Sequence, residues 1–180
     1  MTPPDHQKLI YPIGKFSVPD SYTPELRSEY TNTIQSLPKR LKEATQGLSD
    51  EQLDKPYREG GWSIRQITHH LADSHINSFT RFKLALTEVN PSIKPYNQDA
   101  WIDGPDASLP IEASQSILDG LHARLSYLMK NMTTEDYSRT LFHPEYKKSL
   151  PLDMMAALYS WHSNHHLAQV VNMVKREGWQ

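Results

Sequence analysis

The chain has 180 residues, of which 37% are hydrophobic and 22% charged, a composition typical of one folded domain over residues 1–180. The formal net charge of −2 predicts no nucleic-acid partner, and no run approaches the roughly 18 consecutive apolar residues of a membrane span. Cysteine is absent, which excludes disulfides and thiolate metal ligands. The N-terminal residues have no basic stretch followed by an apolar one, so we expect a cytoplasmic protein.

Thirteen prolines divide the chain into helical windows, because a proline in a helix interior costs about 3 kcal/mol. The first predicted helix runs from about Pro24 to Gly47, with apolar residues recurring at three- to four-residue spacing. Pro38 lies inside this helix and is expected to kink or divide it. Ser49 then begins a short capped turn, SDEQL.

Three further windows predict long helices. The second helix follows an N-cap at Ser63 and ends at Asn90-Pro91, and the third runs from Pro110 to about residue 132. The fourth runs from about Leu152 to Glu177 and is ended by Gly178. Residues 133–151 are predicted to be irregular, with a short strand pair around residues 143–144. Four long helices without a competing strand pattern predict an all-α fold, a four-helix bundle.

Histidine placement is the feature that points to chemistry. Six of the nine histidines fall in two short windows in the middle of predicted helices: His69, His70 and His75, then His162, His165 and His166. On the fourth helix, His162 and His166 are one turn apart on a ridge that is otherwise apolar, so both are predicted to point into the bundle. On the second helix, His70 lies on the stripe marked by Ile67 and Leu71.

These patterns predict a metal site of three imidazoles, His70, His162 and His166, brought together by two packed helices. Other zinc sites also combine two histidines four residues apart on one helix with a third ligand from elsewhere in the chain. His165 is the alternative to His166, because His162 and His165 could also chelate, although the ridge of His165 is less apolar. Three buried, hydrogen-bonded histidines without a metal are the non-functional alternative.

The other polar and aromatic residues near these windows carry weaker expectations. His69 and His75 point away from the predicted ligand stripe, so we expect them at the surface or behind the ligands. Asp73 is expected to be a solvated helix residue, the alternative being a group that orients a ligand imidazole or moves protons. The loop over residues 90–110, with Tyr96 and Trp101, is a candidate cover for the site. The sequence identifies no catalytic general base.

The segments GGWSIRQITHHLADSH and YSWHSNHHLAQV closely resemble the DinB-like superfamily, specifically its YfiT-like branch of metal-dependent hydrolases. The phrases LIYPIGKF, LDKPYREGGW, NSFTRFKLALTE, LFHPE and KREGW also fit that branch, so the resemblance covers nearly the whole chain. It implies an up-down-down-up four-helix bundle, a homodimer, and one divalent metal per subunit bound by three histidines. The matching positions are His70, His162 and His166. Asn164 replaces a histidine that some relatives have, at a position off the ligand ridge.

The chemistry expected from this site depends on the fourth metal position. Three neutral imidazoles leave that position for water or substrate, as in catalytic zinc sites, although histidine ligation also suits Ni²⁺, Co²⁺ or Fe²⁺. The sequence therefore predicts a hydrolase that acts on a small-molecule substrate with a metal-activated water, zinc being the expected ion. The resemblance also supports a second hypothesis for an enzyme, the transfer of a low-molecular-weight thiol such as bacillithiol. A non-catalytic metal-binding module is the third.

Overall fold

The computed structural model describes the backbone of residues 3–179 and the side chains of residues 6–179. Eleven elements follow one another in this range: α1 Pro3–Ile10, α2 Pro24–Thr45, α3 Asp50–Leu53, α4 Ile64–Thr87, α5 Gln98–Ile102, a 3₁₀ turn Pro105–Ser108, α6 Ile111–Lys130, α7 Thr134–Ser138, β1 Thr140–His143, β2 Lys148–Pro151 and α8 Leu152–Arg176. The long helices α2, α4, α6 and α8 form a four-helix bundle, so the predicted fold class is confirmed.

Local capping explains where the helices begin and end. The Ser63 hydroxyl accepts from the Gln66 amide, and the Gln66 side chain accepts from the Ser63 amide, so a complete capping box starts α4 at the predicted residue. Ser49 and Gln52 form the same box before α3. Gly178 follows α8 with φ +69°, a left-handed conformation that suits glycine at this position. Helix α1 and the short helices α5 and α7 were not predicted.

Contacts between distant residues give the helix directions. Helix α8 runs parallel to α2, because Arg27 contacts Asp153 and Arg40 contacts Asn164. Helix α6 runs antiparallel to α2, because Gln115 contacts Thr45 and Lys130 contacts Gln35. Helix α4 runs parallel to α6, because His69 contacts Ser114 and Phe79 contacts Arg124. The connection is therefore up-down-down-up, as the resemblance implies. Helix α4 packs between α6 and α8, diagonally opposite α2.

The core consists of two apolar clusters separated by a polar layer. One cluster includes Phe82, Leu125 and Tyr159, and the other includes Leu71 and Leu167. Between them lie histidine rings of α4, α6 and α8 that contact one another: His70, His75, His122, His162 and His166. Burying several polar rings costs free energy unless they are hydrogen-bonded or bind a ligand, so this layer marks the site.

Helix α2 is continuous through Pro38, so this proline does not divide the helix, and the alternative expectation, a kink, stays a prediction. Proline has no N–H, and the carbonyl of Ile34 therefore lacks its usual partner one turn later. The ring of His122, from α6, contacts that carbonyl through Nδ1 at 2.5 Å. The imidazole N–H thus replaces the missing backbone donor, because a carbonyl oxygen can only accept. A hydrogen bond from another helix compensates the local defect.

The segments between the long helices contact α4 and α8. Strands β1 and β2 pair antiparallel, with Thr140 opposite Pro151, which confirms the predicted strand pair. Ser92, in the loop over residues 90–110, forms a parallel bridge to Phe142 and attaches that loop to the hairpin. Within residues 3–179, none of the helices combines the length and the apolar character that crossing a membrane requires.

Candidate metal centre

The three predicted ligand side chains converge in the polar layer. One nitrogen each of His70, His162 and His166 lie within 4.8 Å of one another. The Nε2 atoms of His70 and His162 are 3.1 Å apart. Both His70 and His166 are buried, whereas His162 keeps some exposure to solvent. The structure thus brings together the set preferred from the sequence, and their role as metal ligands remains a prediction.

The neutral imidazoles, and the spacing of the His70–His162 pair, fit a divalent metal. Two nitrogens on a tetrahedral ion, each about 2.0–2.1 Å from it, lie roughly 3.3 Å from each other, close to the observed Nε2–Nε2 distance. Burial lowers the pKa of His70 to about 4, with the neighbouring His165 adding to the effect. Burial, and then the other imidazoles, lower the pKa of His162 and His166 well below 6.5. The cluster is therefore neutral at physiological pH, as metal binding requires.

The outer nitrogen of His166 is held by Gln169. Nδ1 of His166 is 2.8 Å from the Gln169 side-chain oxygen, which can only accept, so Nδ1 carries the proton and Nε2 keeps its lone pair for a metal. The amide nitrogen of Gln169 contacts the Ile10 carbonyl at 3.0 Å and the Tyr57 hydroxyl at 3.3 Å. Those acceptors fix which end of the amide faces His166.

The outer nitrogen of His162 is held by His75, which the sequence placed at the surface or behind the ligands. His75 is fully buried, and its Nε2 lies 3.3 Å from Nδ1 of His162. When Nε2 of His162 faces a metal, its Nδ1–H donates to His75. His75 is therefore not at the surface. It lies behind a predicted ligand, His162, which was the other expectation.

The ring of His122 lies directly behind His75. The two imidazoles stack with centroids 4.8 Å apart and planes at 20°. Burial lowers the pKa of His122 to about 4, although its bond to the Ile34 carbonyl opposes the shift. Nδ1 of His75 and Nε2 of His122 are both buried without a hydrogen-bond partner. A continuous row of rings therefore leads from His162 to the Pro38 region of α2.

His165, the alternative ligand, faces a different set of side chains. Its ring stacks on Trp161 at 4.6 Å and lies 5.8 Å from the ring of Tyr11. Its Nε2 is 3.1 Å from the amide nitrogen of Gln169, whose two N–H groups also face the Ile10 carbonyl and the Tyr57 hydroxyl, and its Nδ1 is buried without a partner. No nitrogen of His165 belongs to the group of three that lie within 4.8 Å of one another, so the structure favours His166 over His165.

His69 is also buried, so the surface expectation is wrong for this residue too. Its Nδ1 contacts the Ser114 hydroxyl at 2.7 Å, and its Nε2 contacts the Leu109 carbonyl at 3.1 Å. It ties α4 to the start of α6 and is not part of the convergent cluster. The physical reason is that α4 is covered by α6, α8 and the loop over residues 90–110, so more than one face is buried.

The loop before α4 supplies an aromatic wall. The Tyr57 amide donates to the Trp62 carbonyl at 3.0 Å and closes a tight loop. A Cβ at Gly61 would lie 2.7 Å from the Arg58 side chain, so this approach requires glycine. The Trp62 ring lies 4.6 Å from His70 and stacks at 15° on His166. Trp62 is therefore a wall of the site as well as a packing residue.

Asp73 and the loop over residues 90–110 lie beside this cluster. Asp73 is half-buried, and desolvation, followed by the charge of Asp106, raises the pKa of its carboxyl. It makes no hydrogen bond to a ligand histidine in the part of the chain that the structure describes. Tyr96 contacts the Trp101 ring at 4.5 Å and lies beside Ser74, one turn after His70. The loop therefore reaches the edge of the site through Tyr96.

Comparison with known proteins identifies the family to which this four-helix bundle with three convergent histidines belongs. The chain matches the DinB superfamily over residues 33–170 and belongs to it. It is 45% identical over 172 residues to a Geobacillus thermodenitrificans protein named "Putative metal-dependent hydrolase", covering 95% of this chain and 97% of that protein. It is 40% identical, with the same coverage, to "Putative metal-dependent hydrolase YfiT" of Bacillus subtilis.

Two solved structures share the fold. The first, described as "YfiT from Bacillus subtilis is a probable metal-dependent hydrolase with an unusual four-helix bundle topology", superposes with a TM-score of 0.93 at 40% identity, covering 96% of this chain and 99% of that chain. The second is a mycothiol-dependent maleylpyruvate isomerase, with a TM-score of 0.64 at 15% identity, covering 80% of this chain and 60% of that chain. The second likeness concerns the fold alone.

Proposed function

We propose that the protein is a hydrolase whose His70, His162 and His166 bind one zinc ion per chain. The observation that carries the proposal is the convergence of three neutral imidazoles, two of which have their outer nitrogens fixed by His75 and Gln169. The names of relatives at 40–45% identity support the metal-dependent hydrolase assignment. A divalent ion with three protein ligands supplies Lewis-acid polarisation and lowers the pKa of a water molecule at its fourth position.

The surrounding residues orient the ligands and exclude bulk water. Trp62 covers His70 and His166 from the side of the loop before α4. Tyr159 packs beside the other histidines, with its ring 5.3 Å from His75 and 6.1 Å from His162. Of the three ligand histidines, His162 keeps some exposure to solvent, so we expect the substrate to enter beside it. In the proposed reaction, water adds across an ester or amide bond, giving a carboxylic acid and an alcohol or amine.

The first experiment is elemental analysis of protein purified without an affinity tag, followed by assay of an ester and amide panel. We expect one zinc per chain and turnover that chelation abolishes and zinc restores. The His70→Ala variant should lose both metal and turnover, whereas His69→Gln, a matched change at the neighbouring buried histidine, should keep both. Metal binding without turnover on the panel would contradict the hydrolase proposal.

An experiment on the cobalt-substituted protein tests the alternative hypothesis of thiol transfer. Because the chain has no cysteine, any sulfur-to-cobalt charge-transfer band in the cobalt-substituted protein must come from an added thiol. A band with a physiological thiol, together with transfer of that thiol to a chloro-dinitrobenzene or bimane probe, would replace the hydrolase proposal if the ester and amide panel is inactive. Turnover of the panel without thiol transfer supports the hydrolase.

A further inference from the structure

Arg81 lies on the same face of α4 as His70 but is not part of the metal site. The two residues are eleven apart, which is about three helical turns, so their side chains leave the helix in nearly the same direction. Side chains on a helix lean toward its N-terminus, which brings the Arg81 side chain back toward His70. Its Nη1 donates to the Tyr159 hydroxyl at 3.0 Å. One tyrosine ring therefore separates the guanidinium from His162.

The charge of Arg81 has no carboxylate partner among the residues that the structure describes. Arg27 and Arg65, by contrast, each contact an aspartate within 3 Å. Arg81 is half-buried, and within the described part of the chain its guanidinium donates to a phenol, which leaves its other N–H groups available to bind a ligand. A partly desolvated guanidinium without an acidic partner is a strong binding group for an anion.

Neutral hydrogen-bonding groups surround Arg81. Tyr96 and Tyr159 lie beside it, and burial raises the pKa of both phenols, so both keep their protons. The Tyr159 oxygen accepts from Arg81, and the side chains of Ser74 and Ser78 lie beside the same hydroxyl. His143 at the end of β1 is buried with an unpartnered Nδ1, and burial followed by the charge of Arg81 lowers its pKa. The nearby acids are Asp73, beside Tyr96, and Glu145, beside His143.

We propose that Arg81, with Tyr96, Tyr159 and His143 around it, binds a carboxylate group of the substrate while the reacting group occupies the metal. The inference rests on the proposed function and names the substrate class, a molecule with a carboxylate several bonds from its reactive group. A monoanion is favoured over a phosphate dianion, because one guanidinium is the single full positive charge among these four groups and two acids lie nearby. The planar guanidinium also matches a carboxylate with two parallel hydrogen bonds.

The test compares three thiols of equal length on the cobalt-substituted protein: 6-mercaptohexanoate, 6-mercaptohexan-1-ol and 6-aminohexane-1-thiol. The charge-transfer band reports thiolate at the metal, and the chain contributes no cysteine background. At constant ionic strength we expect the acid to bind at least tenfold more tightly than the alcohol, and the amine to bind most weakly. The series on wild-type protein needs no variant, and 3-mercaptopropionate with 3-mercaptopropan-1-ol tests a shorter span.

Variants then assign the preference to one residue. Arg81→Gln should abolish the advantage of the acid over the alcohol and leave binding of the alcohol unchanged, and Arg81→Lys should restore part of it. Arg124→Gln, which removes an exposed arginine from α6, is the matched control and should keep the preference. Equal binding of acid and alcohol at both lengths to wild-type protein, or a preference that survives Arg81→Gln, would overturn the proposal.

A second arm separates this proposal from the proposed metal function. Hexanoate is titrated into metal-free wild-type protein and into Arg81→Gln, and binding is read by saturation-transfer NMR on the ligand. Hexanoate binding that depends on Arg81 supports the carboxylate site even if cobalt does not bind. Failure of cobalt to bind would contradict only the proposed metal site. If hexanoate does not bind and the thiol series shows no preference, the carboxylate site is wrong whatever the metal does.

Discussion

Replacement of His75 by leucine tests whether the ring behind a ligand tunes the metal centre. Leucine removes the acceptor for Nδ1–H of His162 and leaves that donor buried. Loss of such an outer hydrogen bond typically weakens metal binding by about 10–100-fold, which is about 1.4–2.7 kcal/mol. The His162–His75 distance of 3.3 Å is at the long end for a hydrogen bond, so we expect a loss near tenfold.

The assay is competition for zinc against a chelator of known affinity, on protein whose fold is checked by circular dichroism. His75→Gln keeps an acceptor near the position of Nε2 and should lose less than His75→Leu. Gln169→Leu removes the shorter 2.8 Å contact to His166 and should lose more. His69→Leu, at a buried histidine outside the cluster, is the control and should bind zinc like wild type. Unchanged affinity in His75→Leu, or equal losses at His69 and His75, would refute the reasoning.

Three further outcomes are expected. Replacing any one of the three ligand histidines by alanine should abolish stoichiometric metal in elemental analysis, whereas His165→Ala should keep most of it; the reverse pattern would make His165 the ligand. In metal-free protein, the unfolded chain takes up a proton at His122 below its unfolded pKa of about 6.5, whereas the folded chain does so only near 4. The free energy of unfolding should therefore fall between those pH values, by up to about 3 kcal/mol from this group, and His122→Asn should show a shallower fall in urea titrations. The homodimer, implied by the family resemblance, predicts a sedimentation mass near twice 20.8 kDa at micromolar concentration, and a single-chain mass would remove it.

The elements that could be predicted from the sequence are those whose cause is local. The prolines, the caps at Ser49 and Ser63 and the glycine after α8 determine helix ends within a few residues. The spacing of His162 and His166 on one ridge identified two members of the cluster for the same reason. Helix periodicity and caps are properties of neighbouring residues, so a single sequence contains them.

The residues that the sequence missed depend on which helices become neighbours. The burial of His75 and His69 requires α4 to lie between α6 and α8 under a loop, and one apolar stripe does not predict that arrangement. Gln169 lies only three residues after His166, but the acceptors that fix the orientation of its amide, Ile10 and Tyr57, lie more than 100 residues earlier in the chain. Arg81 and Tyr159 likewise meet across two helices.

The continuous α2 at Pro38 has a consequence for engineering this protein. Substituting a proline inside a helix is a standard way to raise thermal stability, and Pro38→Ala would return a backbone N–H to the Ile34 carbonyl. That N–H would compete with His122, whose ring stacks on His75, which in turn bonds His162. A screen that selects only for melting temperature would therefore favour a change that loosens the support of the candidate metal centre. We therefore expect stability and the support of the candidate metal centre to oppose each other at residue 38, which is 124 residues from His162 in the chain.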